Sequence, residues 1–74
     1  MSAIIWPYGP LKSYIDGEQK RAIEAGRTVR QTLVDIGMPP EVVALVLVND
    51  EQETKDYVIQ DGDIVKLLAV IGGG

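Results

Sequence analysis

The chain has 74 residues, 46% of them hydrophobic and 24% charged, which marks one small folding domain rather than a disordered segment. It contains neither cysteine nor histidine, and this excludes disulfides, thiolate zinc sites and every Ser/His or Cys/His nucleophile pair. The net charge of −4 is uneven: residues 1–37 carry five basic and four acidic groups, residues 38–74 two and seven.

That balance argues against nucleic acid, which needs a basic face, and suits a partner with a basic docking surface. No apolar stretch approaches the 18 or more residues of a membrane span. The N-terminus has no basic region ahead of its short apolar run, so no signal peptide is read and a cytoplasmic location is expected. A core of this size leaves no spare volume for a buried active site. Any chemistry must use the backbone, carboxylates, hydroxyls or the chain end, and a whole enzyme is not expected.

Ala3, Ile4, Ile5, Trp6 and Tyr8 form a β-branched and aromatic run that predicts a first strand. Pro7 lacks a donor and belongs at the strand end or on an unpaired edge. Trp6 and Tyr8 are expected to complete the core or pack at the sheet edge. Gly9-Pro10 and Asp16-Gly17 mark turns, and residues 20–23 are compatible with a short strand returning beside the first. Thr28 is the clearest helix start: its hydroxyl can cap the first turn, and Gln31 completes a capping box. Val29, Leu33 and Ile36 repeat at spacings of four and three and so share the core-facing side, with Thr32 beside them and Arg30, Gln31 and Asp35 toward solvent. Gly37 is placed to end the helix, and Pro39-Pro40 forbids its continuation.

Residues 42–48 (VVALVLV) are almost continuously apolar, as in a strand buried on both faces. The polar segment 49–55 reads as a surface connection. Asp50, Glu51, Glu53 and Asp56 lack the glycine and ligand spacing of a calcium loop. Tyr57, Val58 and Ile59 suggest a short edge element. Asp61-Gly62-Asp63 is a tight turn, with the aspartates as turn formers rather than a catalytic pair, and it launches a last strand over 64–71. Alternation puts Val65, Leu67, Ala69 and Ile71 on one face of that strand and Ile64, Lys66, Leu68 and Val70 on the other. Lys66 marks its face as the solvated one, so Leu68 and Val70 stand partly exposed there as a partner site, with Ile71 at the base of the tail.

The chain closes on Gly72, Gly73 and Gly74. Terminal glycines add little to stability, but a tail without side chains can thread a tunnel that any Cβ would block. A frayed end is the other reading. Two strands, a helix, a buried strand, a short element and a final strand make an α+β arrangement. With the first and last strands paired at the sheet centre, this becomes a β-grasp: a mixed four- to five-stranded sheet with one helix on one face, spanning 1–71, followed by a flexible glycine tail, 72–74.

Asp61-Gly62-Asp63, an apolar strand and a terminal Gly-Gly together resemble the ThiS/MoaD family of sulfur carriers, which are ubiquitin-like β-grasp proteins. Tyr8-Gly9-Pro10-Leu11-Lys12 is similar to the strand-turn segment of the MoaD branch. Thr28-Val29-Arg30 with Leu33 resembles the family's helix start, and Val46-Leu47-Val48-Asn49 its buried strand and turn. Two features depart from the pattern: Leu68-Ala69-Val70-Ile71 stands where such carriers often have aromatic residues and proline, and there are three glycines rather than two. If Gly74 is not native, the reactive end is Gly73.

What the resemblance implies is a carrier rather than an enzyme. A ThiF/MoeB-like adenylating enzyme would use ATP to activate the Gly74 carboxylate, with no cofactor bound by the chain itself. Conversion to a thiocarboxylate would then supply sulfur to an accepting synthase, in molybdopterin biosynthesis by preference and thiamine thiazole next. The chain would be the small subunit of a molybdopterin synthase-type complex. A ubiquitin-like protein modifier and a plain interaction domain are the alternatives.

Overall fold

The computed structural model describes residues 1–69. The expected residues Val70, Ile71, Gly72, Gly73 and Gly74 lie outside the described residues. The elements are β1 (Ser2–Pro7), a 3-10 helix (Gly9–Ile15), β2 (Arg21–Glu24), α1 (Val29–Asp35), a short 3-10 turn (Pro40–Val42), β3 (Val43–Val48), β4 (Glu51–Glu53) and β5 (Ile64–Ala69). The five strands form one mixed sheet in the order β2-β1-β5-β3-β4, with β5 parallel to β1 and antiparallel to β3. First and last strands pair at the centre, and the fold is the expected β-grasp. No helix of the described residues is long and apolar enough to cross a membrane.

One face of the sheet is covered. Ala3, Ile5, Val43, Val46, Val48, Val65 and Leu67 point inward and meet Val29 and Leu33 of α1, all of them buried. The helix is set by its ends. Thr28 Oγ1 accepts the Gln31 amide at 3.0 Å and Gln31 Oε1 accepts the Thr28 amide at 2.9 Å, so the capping box is complete. At the other end Gly37 has φ +81°, its amide donates to Val34 O and that of Met38 to Leu33 O. This is a Schellman stop, and it carries Met38 into the core.

Five expectations change. The segment after Gly9 is a 3-10 helix rather than a turn, and it contributes Leu11 and Ile15 to the interior; β2 starts one residue later than read. β3 is covered on one face only, since Leu45 and Leu47 are half-buried and Ala44 is exposed beside an irregularity in the register. The edge strand is 51–53, not 57–59: Glu51, Gln52 and Glu53 pair with β3, while Val58 makes an isolated bridge to Thr28. Polar side chains hid β4, because an edge strand facing water needs no apolar residues. Trp6 lies neither in the core nor at the sheet edge. It is half-buried on the outer face of central β1, stacked on Tyr8 at 6.3 Å with Lys20 Nζ above its ring.

Candidate functional site

β5 is the strand that leads into the glycine segment, and its neighbours fix its register. Ile64 to Leu67 pair with Ile4 to Pro7 on one side, and Val65 to Leu68 pair with Val48 back to Leu45 on the other. Past β1, the Tyr8 amide donates to Leu67 O at 2.9 Å. Near the end of β5, Leu68 and Ala69 join Tyr8, Gly9 and Pro10 around a shallow apolar depression. On the helix side, Ala69 borders a second groove with Leu11, Tyr14 and Val42.

The alternation read from sequence holds. Val65 and Leu67 are buried, while Lys66 and Leu68 are half-buried and Ile64 is exposed on the open face. The structure therefore brings Lys66 and Leu68 onto one surface with Trp6 and Leu47. Val70 and Ile71, assigned to the same docking surface, lie outside the described residues, as do the glycines.

The start of β5 is pinned by a polar cluster that the sequence reading missed. Asp63, 6% exposed, accepts from Asn49 Nδ2 at 2.8 Å, the Tyr57 hydroxyl at 2.7 Å and the Gln60 amide at 2.8 Å. Burial opposes ionisation of Asp63, but the Gln60, Tyr57 and Asn49 donors together outweigh it and hold the carboxyl below its ordinary value. The hydrogen bond to Asp63, reinforced by burial and nearby negative charge, pushes the Tyr57 hydroxyl up to about 12. Asn49 also accepts the Ile64 amide at 3.0 Å through Oδ1 and donates its own amide to Ile64 O at 3.0 Å.

Asn49 and Asp50 form the two-residue turn between β3 and β4, both with positive φ (51° and 70°), as hairpin twist favours. The dipeptide between an apolar strand and a polar one was the available signal. Asp50 Oδ1 accepts Lys66 Nζ at 2.9 Å, and this contact raises the Lys66 pKa. The acidic excess of the second half is gathered partly in this hairpin, beside the open face rather than on it.

A mixed sheet with its first and last strands paired at the centre, one covering helix and an open face on the strand that leads to the glycines define a ubiquitin-like β-grasp protein. A model of the ThiS family matches residues 8–74, and the chain belongs to that family. Solved structures share the fold at low identity. SAMP1 from Haloferax volcanii is 20% identical over 100% of both chains, with a TM-score of 0.70. A putative molybdopterin converting factor subunit 1 from Pyrococcus furiosus is 18% identical, covering 96% of this chain and 99% of that one, also at 0.70. A chain of the complex of subunits 1 and 2 of molybdopterin-converting factor from Helicobacter pylori is 22% identical over 100% of both chains, at 0.60. No curated protein matches the sequence.

Proposed function

We propose that the chain is a sulfur carrier whose Gly74 carboxylate is the reacting group. The observation that carries this reading is a ThiS-family match that runs to the glycine end, on a fold whose central strand leads into that segment. A free carboxylate is anionic at neutral pH and a poor electrophile. A ThiF/MoeB-like adenylating enzyme supplies the activation: a carboxylate oxygen displaces pyrophosphate from ATP and leaves an acyl adenylate. The outer sulfur of a persulfide donor attacks the carbonyl carbon and expels AMP, and thiol cleavage of the remaining S–S bond frees the thiocarboxylate. Gly72, Gly73 and Gly74 provide reach, since three extended residues span about 10 Å. The carrier contributes no catalytic side chain.

Lys66 and Leu68, continued by Val70 and Ile71, form the partner-binding surface. The Helicobacter pylori structure, a complex of subunits 1 and 2 of molybdopterin-converting factor, supports a synthase as the sulfur acceptor and molybdopterin as the favoured pathway. The test incubates the full chain with the adenylating enzyme of the same organism, ATP and a persulfide donor, and weighs the product. A mass gain of one sulfur replacing one oxygen is expected. Conjugates of higher mass would make the chain a modifier. No reaction, or an unaltered pathway after removal of Gly73 and Gly74, would leave an interaction domain.

A further inference from the structure

Two cations meet the open face: Lys20, from the loop before β2, lies over the Trp6 ring, and Lys66 projects from β5 itself. The three central strands place Ile4, Trp6, Ile64, Leu68, Leu45 and Leu47 there, and Lys66 is the one charged residue among them. Register sets Trp6 on one side of it and Leu47 on the other. The Lys66 side chain is 28% exposed and that of Asp50 79% exposed, so the cation's stem lies within the sheet face and its anion sits at the rim. Asp50 reaches back because the hairpin turn holds it at φ 70°. That turn is clamped in its own right, through three hydrogen bonds joining Asn49 to Asp63 and Ile64. A surface ion pair adds little to stability. This one neutralises the cation that lies among the apolar side chains of the three central strands before anything docks on them.

Resting on the carrier reading, we infer that Asp50 is a positioning residue for partner recognition: it presents Lys66 already neutralised, so the part of the adenylating enzyme's surface that covers Lys66 is apolar rather than acidic. The physical reason is an asymmetry. Burying a lone ammonium in an interface is costly, whereas replacing both members of an ion pair by uncharged groups is often neutral.

The test is steady-state adenylation of the full chain by the adenylating enzyme of the same organism, followed as pyrophosphate release. Asp50→Asn is expected to raise KM for the carrier about tenfold with kcat unchanged. Asp50→Asn combined with Lys66→Met is expected to bring KM back to within about twofold of wild type. Recovery by a second substitution is something a merely structural role for Asp50 would not produce, and urea midpoints confirm that each variant is folded. An unchanged KM for Asp50→Asn overturns the inference. So does a lower one, the result if a partner carboxylate recruits the freed Lys66, and so does a double variant as poor as the single. A wild-type chain that is not adenylated overturns the carrier reading and this inference with it; a reactive wild type with any of those variant results overturns this inference alone.

Discussion

Replacing Asp63 with asparagine keeps the side chain's shape and removes its charge, and the three donors around it allow the effect to be worked through. The amide has one acceptor oxygen. Placed where Oδ2 now lies, it retains the Tyr57 hydroxyl and the Gln60 amide, but its NH2 then faces Asn49 Nδ2, donor against donor. Asn49 cannot turn over without taking Oδ1 away from the Ile64 amide. Losing one bond to a buried charge costs about 1.5–3 kcal/mol. The two bonds kept fall to neutral strength, at about 1 kcal/mol each. Burying a neutral amide instead of a carboxylate returns about 2 kcal/mol. The net loss is about 1.5–3 kcal/mol, and with a urea slope near 1 kcal/mol/M for a small domain the midpoint should fall by about 1.5–3 M.

The acid limb provides a second reading of the same cluster. Because the folded Asp63 pKa is depressed, its stabilisation is present above the ordinary carboxylate range, about pH 4. It is lost as pH falls through the folded value. The gap between wild type and Asp63→Asn should therefore be full at pH 7 and narrow below about pH 4. Equal urea midpoints at pH 7, or a gap that stays constant into acid, would refute the reasoning.

Thr28→Ala removes one half of the capping box and should cost about 1 kcal/mol by urea denaturation. Gly37→Ala should cost about 1 kcal/mol; an added Cβ there meets open space, so the loss comes from the backbone at φ +81° alone, and Gly37→Asn should recover part of it. Tyr57→Phe should lower the urea midpoint at pH 7. It should also flatten the alkaline limb, because wild type keeps the Tyr57 contribution below the ordinary value near pH 10 and loses it as pH rises toward about 12.

The parts of the fold legible in sequence were those in which local chemistry and tertiary role agree. Thr28, Gln31 and Gly37 announce the helix ends because capping uses particular side chains at particular offsets. The alternation in 64–69 separates two faces because only one of them meets the helix. Where the two levels diverge, sequence is silent. Glu51, Gln52 and Glu53 have no apolar period, and their pairing follows from the turn before them. Leu11 and Ile15 enter the core from a 3-10 helix whose period differs from both common templates. Asp63 has the composition of a turn residue, and only the fold brings Asn49 and Tyr57 to it. At the candidate site, Lys66 and Leu68 were readable from alternation. Asp50, sixteen positions away in sequence, was not.

The central place of β5 also governs the order in which this protein can assemble. β1 has β2 within reach as soon as residue 24 is made, and β3 has β4, but the two hairpins share no strand until residues 64–69 arrive between them. The sheet is thus closed by contacts across most of the chain length, a topology associated with slower folding. During synthesis the earlier strands wait with an open seam, and a chain cut short before residue 64 has two hairpins and no sheet to join them. Completion of the core and delivery of the strand that leads to the glycines are a single event.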